Sequence, residues 1–222
     1  MKLSLIGAGL ALAFGGAHAL TVDFGNGPAA PLICSNNANG SGAMVGCANN
    51  GYLNQGYGDV AGVLDVTYSQ PTFATPGLSL HWWDSSYNDL YGVAWADGGD
   101  TASSHARIEL KPLNGGGVTL TSFDFGAYSD TTRGTYIDIY AIGGGTPLYT
   151  FSGNVGAEAT HTPFAVNVSS ANGLWIDWQN SAYNVGIDNI SFNVTAVPEP
   201  QTYALMLGGL AVVGALARRR RR

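Results

Sequence analysis

The sequence predicts an all-β fold, a β-sandwich or jelly roll of nine or ten short strands. Apolar and polar residues alternate along several short segments, which is the period of a half-buried strand. Clusters of Gly, Asn, Pro and Asp separate these segments and indicate turns. The segments follow one another too closely for crossover helices, so a parallel α/β sheet is not expected.

The clearest alternation lies in the C-terminal half. Ile137 and Ile139 share one face of the segment 135–142, and Ile190, Phe192 and Val194 share one face of the segment 186–194. The segment 20–58 is less regular, and we expect it to contain a loop and one edge strand. Further strands are predicted at residues 62–68, 78–83, 106–110, 118–125, 148–152, 164–168 and 174–178.

The N-terminus is typical of a secretory signal peptide. A basic Lys2 precedes an apolar stretch at residues 3–17, and Ala17, His18 and Ala19 form a small-x-small cleavage site. We expect cleavage after Ala19. The predicted organisation is then a signal peptide at 1–19, a β-sandwich domain at 20–195 and a tail at 196–222.

The tail combines a short motif, an apolar segment and a cationic end. Pro198, Glu199 and Pro200 precede residues 203–217, none of which is charged. A helix of this length covers roughly 22 Å of a bilayer core about 30 Å thick, so we expect a short transmembrane helix with its C-terminus on the cytoplasmic side. The membrane stop is formed by Arg218, Arg219, Arg220, Arg221 and Arg222.

This order closely resembles the PEP-CTERM sorting tail of exopolysaccharide-producing Gram-negative bacteria. The resemblance implies an exported protein that is held in the inner membrane, processed by an exosortase near Pro-Glu-Pro, and then passed to the cell surface or the medium. An ordinary C-terminal anchor, with Pro-Glu-Pro as a rigid linker, is the alternative, and it would place the protein in the same compartment.

Charge is distributed unevenly along the chain. The whole chain carries a formal charge of −6, but positions 23–199 hold 15 acidic and three basic residues, a net charge of −12. A surface this acidic argues against nucleic acid and anionic lipid as partners. It is compatible with divalent cations and neutral glycans, and solubility alone would also explain it.

Two cysteines, Cys34 and Cys47, flank a stretch rich in Asn, Gly and Ser. An exported protein meets an oxidising compartment, so we expect a disulfide between them. Neither a Cys-x-x-Cys spacing nor a neighbouring histidine supports a metal site at this pair.

Catalytic motifs are weak in this sequence. It has no His-Glu-x-x-His, no Gly-x-Ser-x-Gly and no phosphate-binding loop. Ser104, His105 and an acid such as Asp100 are the available components of a Ser-His-Asp enzyme. A glycosidase needs two facing carboxyl groups, and their spacing cannot be read from the sequence.

The C-terminal half also resembles the galactose-binding-like jelly rolls of extracellular carbohydrate-binding modules. The resembling segments are 123–125, 136–140 and 187–192. In those folds calcium often ties the first strand region to the last strand. The resemblance therefore implies Asp23 and Asp188 as candidate calcium ligands, with a turn or strand-entry role for Asp188 as the alternative.

Two tryptophans are candidates for stacking on sugars. Alternation places Trp82 and Trp178 in the core, and it places Trp83 and Trp175 on the opposite faces of their strands, beside polar residues. Burial under loops is the alternative for both outward side chains.

We therefore expect an exported, non-catalytic protein associated with exopolysaccharide or biofilm matrix. The alternatives are a secreted polysaccharide hydrolase and a structural matrix protein without a specific ligand.

Overall fold

Thirteen strands and one helix occur in the computed structural model, which describes residues 17–25, 30–71, 77–101, 103–113, 115–195 and 200–219. Short strands form where β-branched and aromatic residues alternate with polar ones between turns. The elements are β1 Ala17–Val22, β2 Cys34–Ser35, β3 Gly51–Leu53, β4 Leu64–Ser69, β5 His81–Trp83, β6 Val93–Trp95, β7 His105–Pro112, β8 Gly117–Ala127, β9 Arg133–Ala141, β10 Tyr149–Val155, β11 Thr162–Ser170, β12 Leu174–Gln179, β13 Val185–Thr195 and α1 Pro200–Arg219.

The strands form two antiparallel sheets, which confirms the predicted all-β sandwich. One sheet has eight strands in the order β11-β8-β13-β6-β5-β3-β2, and β1 also pairs with β13. The other has five strands in the order β10-β9-β12-β7-β4. Along one edge β13 pairs with β8, and along its other edge it pairs with β6 at Ile187 and with β1 at residues 190–195.

The inner faces of the two sheets enclose one hydrophobic core. Its fully buried side chains come from alternate positions of the long strands, as the period-two pattern predicts. Trp178 lies at its centre, edge-on to Phe125 at 5.5 Å between ring centroids. Trp82 is also buried, with 4% of its surface exposed, and it belongs to this core.

The region before residue 58 departs from the prediction. It contains three short strands, β1, β2 and β3, where one edge strand was expected. β6, which joins β5 to β13, was not predicted at all. Its three residues, Val93, Ala94 and Trp95, are too few to show a period.

β1 begins inside the predicted signal peptide. Ala17, His18 and Ala19 pair with Thr195, Val194 and Asn193 of β13. Cleavage after Ala19 remains a prediction, and it would shorten β1 to residues 20–22.

The C-terminal helix forms as expected, and its insertion into a membrane remains a prediction. Among the helical residues in the structure, no helix is both long enough and apolar enough to cross a bilayer. α1 has 20 residues, with Arg218 and Arg219 in its last turn. Pro200 begins α1, whereas Pro198, Glu199, Arg220, Arg221 and Arg222 lie outside the described residues.

Candidate functional site

A small group of aromatic side chains lies on the outer side of the eight-stranded sheet. Trp82 and Ala94 point into the core, so their neighbours Trp83, Val93 and Trp95 point away from it. Val93 and Trp95 form a second hydrophobic cluster with Tyr87 and Leu90, and Trp83 and Tyr128 pack against it.

These rings border a cavity of about 70 Å³, here called the aromatic cavity. Its walls come from β5, β6 and the loops at residues 50, 87, 128 and 183–184. The lining residues are Asn50, Trp83, Tyr87, Trp95, Tyr128, Tyr183 and Asn184.

The rings in the aromatic cavity stand mostly edge to face. Trp83 lies 6.3 Å from Trp95 and 5.7 Å from Tyr128, both T-shaped. Tyr183 lies edge-on to Trp95 at 5.1 Å. This packing favours a stable aromatic wall, with Trp83 half-buried and Tyr183 41% exposed.

Two paired glycines let the loop that carries Tyr87 lie directly on the sheet. Gly126 of β8 pairs with Gly186 of β13. A Cβ at Gly126 would collide with the backbone carbonyl of Tyr87, and one at Gly186 would collide with Val93. The bare backbone at this pair therefore sets the depth of the aromatic cavity.

Asn88 fixes the same loop from the other side. Its Oδ1 accepts a hydrogen bond from the N–H of Ala127 at 2.6 Å, and its Nδ2 donates to the carbonyls of Thr131 and Glu158. Asn88 has a φ of 57°, a left-handed conformation that Asn tolerates better than most residues.

The ring of His81 packs between those of Trp95 and Tyr52. Its ring stacks on Trp95 at 4.5 Å, and Tyr52 lies against its other side at 4.3 Å. Both ring nitrogens face acceptors: Nδ1 is 2.9 Å from the carbonyl of Asn50, and Nε2 is 2.8 Å from Oδ2 of Asp97. The hydrogen bond from His81 holds the pKa of Asp97 below its usual value, against the effect of partial burial.

Several polar groups around the aromatic cavity already have hydrogen-bond partners within the protein. The Tyr87 hydroxyl donates to the carbonyl of Tyr183 at 2.9 Å, and burial raises its pKa. Asn184 Nδ2 donates to Asp100, which also pairs with Arg133 at 2.7 Å. The indole N–H of Trp95 is buried and has no hydrogen-bond partner in the described part of the chain.

Trp175, the other predicted stacking residue, lies on the outer face of the five-stranded sheet. The guanidinium of Arg107 covers its ring at 4.1 Å from the centroid, and its indole N–H donates to Glu109. Trp175 is half-buried, as Trp83 is, but a charged side chain covers its ring.

Asp23 and Asp188, the predicted calcium ligands, are brought near each other. Asp188 is 2% exposed, and its Oδ1 accepts the backbone N–H of Phe24 at 2.8 Å. Burial raises the pKa of Asp188 to about 8, and the negative charges of Asp23 and Asp124 add to that effect. A buried carboxyl group with two other acidic side chains nearby fits a cation, which would favour its ionised form.

The ligand count at this position is low. In the described ranges no three His, Cys, Asp or Glu side chains are grouped as a metal site. A calcium ion at Asp188 would need backbone carbonyls and water to complete its six to eight oxygen ligands.

Asp188 also lines a second cavity, of about 210 Å³, here called the polar cleft. His161 lies in it, and Oδ1 of Asp89 accepts a hydrogen bond from the backbone N–H of His161 at 2.7 Å and lies 2.7 Å from its Nδ1. These contacts outweigh burial and lower the pKa of Asp89. The polar cleft is lined by Gly25, Asp89, Leu90, Tyr91, His161, Asp188 and Asn189.

The components of a Ser-His-Asp enzyme are not assembled. Ser104 Oγ accepts the N–H of Tyr183 at 2.7 Å, whereas His105 Nε2 lies 3.2 Å from Asp177 and outside hydrogen-bond geometry. Asp100 pairs with Arg133.

The predicted disulfide between Cys34 and Cys47 is present. The sequence did not indicate Tyr128, Tyr183, Asn50 or Asn184 as site residues, because they lie in or beside turns far along the chain from Trp83. Their common signal is a Tyr or Asn beside a turn, which many loops share.

Comparisons with known sequences and structures bear on the tail and the fold. Residues 196–222 match the family described as the PEP-CTERM protein-sorting motif. This motif marks an exported protein that is sorted to the cell envelope and processed by an exosortase. No curated protein matched the chain.

Similar solved structures include carbohydrate-binding modules. A CBM4 structure is 15% identical, with a TM-score of 0.30, over 60% of this chain and 84% of that chain. A family 29 module from Piromyces equi is 21% identical, with a TM-score of 0.28, over 62% and 93%. A GH26-CBM35 β-(1,4)-mannanase from Podospora anserina is 16% identical, with a TM-score of 0.33, over 63% of this chain and 29% of its own.

Proposed function

We propose that this protein is a non-catalytic, exported component of the exopolysaccharide or biofilm matrix of a Gram-negative bacterium, and that it binds glycan at the aromatic cavity. The observation that carries the proposal is the position of Trp83 among five aromatic rings on the outer side of a sheet. Flat rings pack against the C–H faces of sugars, and nearby amides pair with their hydroxyls. Processing near Pro-Glu-Pro would release the domain to the surface or the medium.

The charge of the exported part supports a neutral glycan. Positions 23–199 carry −12, and the lining of the aromatic cavity contains no Asp, Glu, Lys or Arg. An anionic polymer would be repelled by the surface and would find no basic partner in the cavity.

The test is a polysaccharide pull-down with the full chain, purified after export. Trp83→Ala should weaken binding about tenfold, since an aromatic contact contributes on the order of 1 kcal/mol beyond area burial. Trp83→Phe should retain most of the affinity because it keeps a ring. Trp175→Ala, the same change at a tryptophan that Arg107 covers, should have the smaller effect.

Binding to no glycan, or equal binding by the wild type and Trp83→Ala, would contradict the proposal. Melting curves of each variant distinguish lost contact from lost folding. A chain that binds no glycan would favour a structural matrix role without a specific ligand.

A polysaccharide hydrolase is the alternative function. Asp89 and Asp188 are two carboxyl groups that line one cleft, as an acid and a base would. Asp188 is 2% exposed and bonded to the backbone of Phe24, which argues against contact with a substrate. Chromatography of the polymer after incubation with the protein distinguishes the two functions. Fragments released by the wild type and not by Asp89→Asn would contradict the binding proposal and support a hydrolase.

A further inference from the structure

The indole N–H of Trp95 differs from those of the other buried tryptophans. Trp82 Nε1 donates to the carbonyl of Phe24 at 2.8 Å, and Trp178 Nε1 donates to the carbonyl of Val185 at 2.9 Å. Trp95 is 4% exposed, and its Nε1 has no acceptor among the residues the structure describes. A buried donor without an acceptor is costly, so an oxygen that reaches it gains binding free energy.

The aromatic cavity provides few other free polar groups. Asn184 uses its Nδ2 on Asp100, which leaves its Oδ1 to accept a hydrogen bond. Asn50 is exposed, and its backbone carbonyl is taken by His81. The site therefore offers one indole donor, amide groups, the hydroxyls of Tyr128 and Tyr183 and aromatic faces, and no charge to balance an ionised ligand.

The volume limits what can enter. About 70 Å³ is far below the roughly 300–1,000 Å³ of sites that enclose a drug-sized ligand. A cavity this small admits one edge of one sugar ring, inserted end-on, and cannot enclose several units of a polymer.

We propose that the aromatic cavity binds one neutral pyranose unit at the end of a glycan chain, with a sugar hydroxyl oxygen accepting the N–H of Trp95 and the sugar face lying against Trp83. This inference rests on the proposed function and adds the ligand class, the part of the chain bound and the residue that selects it.

Access to Trp95 requires one side chain to move. Nε1 of Trp95 is buried, and Tyr183 is the exposed ring that lies edge-on to Trp95. The backbone of Tyr183 is held by Ser104 Oγ at 2.7 Å and by the Tyr87 hydroxyl at 2.9 Å. We therefore expect the ring of Tyr183 to swing aside when the sugar enters, while its backbone stays in place.

The test uses Trp95→Phe, which keeps a ring and removes the N–H. Calorimetry with the full chain should show that a neutral methyl pyranoside competes with the polymer and that a hexuronate does not. Trp95→Phe should lose about tenfold in affinity, as expected for one buried hydrogen bond to a ligand. In a panel of monodeoxy pyranosides, one should bind the wild type as weakly as the parent pyranoside binds Trp95→Phe. The affinity of that monodeoxy sugar should not fall further in Trp95→Phe.

Trp178→Phe is the matched control, because it removes the same atoms from a satisfied indole in the core. It should lower the melting temperature more than Trp95→Phe does and leave the affinity unchanged. Tyr183→Ala should speed association of the pyranoside.

The outcomes separate the two proposals. Polymer binding without competition by any neutral monosaccharide, equal competition by the hexuronate, or unchanged affinity in Trp95→Phe would overturn this inference and leave glycan binding standing. Absence of polymer binding would overturn both.

Discussion

Asp177 holds two basic side chains on the outer face of the five-stranded sheet. Arg107 donates to both carboxylate oxygens, at 2.7 and 2.6 Å, and His105 lies 3.2 Å away. Burial alone would raise the pKa of Asp177, but these partners outweigh it and lower the pKa. The same Arg107 then covers Trp175, so one ion pair determines how open that face is to a ligand.

Asp177→Asn should lower the free energy of unfolding at about pH 7 by roughly 2 kcal/mol, because it leaves the half-buried Arg107 without its partner. A carboxylate whose folded pKa is depressed stabilises above its unfolded pKa, near 3.9, and that stability is lost as the pH falls through the folded value. The difference between the variant and the wild type should therefore shrink at about pH 3.

Urea denaturation at the two pH values measures this effect. Asp130→Asn, the same change at an exposed carboxylate, is the control and should alter the stability little at either pH. A deficit for Asp177→Asn that stays constant with pH would show that packing, not charge, explains it.

At the scale of elements, the disulfide fastens the far edge of the eight-stranded sheet. Cys34 lies in β2, which pairs with β3, and β3 pairs with β5, the strand that carries Trp83. β2 and β3 have two and three residues, so few ladder hydrogen bonds hold this edge. Cross-linking the connecting loop restricts the unfolded chain and compensates for the short pairing.

Replacing both cysteines by alanine should lower the free energy of unfolding by about 3 kcal/mol, the chain-entropy value for a loop of this length. Hydrogen exchange should quicken first in residues 31–54, whereas β8 and β13, the most extensively paired strands, should stay protected. A uniform rise in exchange across both sheets would contradict a local clamp. The reduced wild type is the control for the substitutions themselves.

At the scale of the whole molecule, the buried carboxyl group of Asp188 joins the two ends of the domain. Asp188 lies in β13 and binds the backbone just after β1. Calcium there would offset the charges of Asp188, Asp23 and Asp124 and tie these segments together. We predict that calcium at about 100 times its Kd stabilises the protein by about 2.7 kcal/mol.

Thermal melts with calcium, with magnesium and with a chelator measure this stabilisation. The rise in melting temperature with calcium should be absent in Asp188→Asn. Magnesium should raise the melting temperature less than calcium does, because it demands a stricter octahedral set of oxygens. Equal melting temperatures in calcium and chelator would contradict the calcium proposal, and Asp188 would then be a buried carboxyl group hydrogen-bonded to the backbone.

The sequence by itself determined the strand faces, the disulfide and the sorting tail. Period-two alternation shows which side chains share a face, and it correctly separated Trp82 from Trp83 and Trp178 from Trp175. The three parts of the sorting tail are contiguous in the chain, so a short stretch of sequence is enough to recognise it.

Only the tertiary structure decided which of those outward side chains meet. Sheet order and the paired Gly126 and Gly186 bring Tyr87, Tyr128 and Tyr183 around Trp83, across long separations in the chain. The same level of structure places Arg107 over Trp175. Periodicity reports the direction of a side chain relative to its own strand, and neighbours on other strands depend on pairings that no local pattern contains.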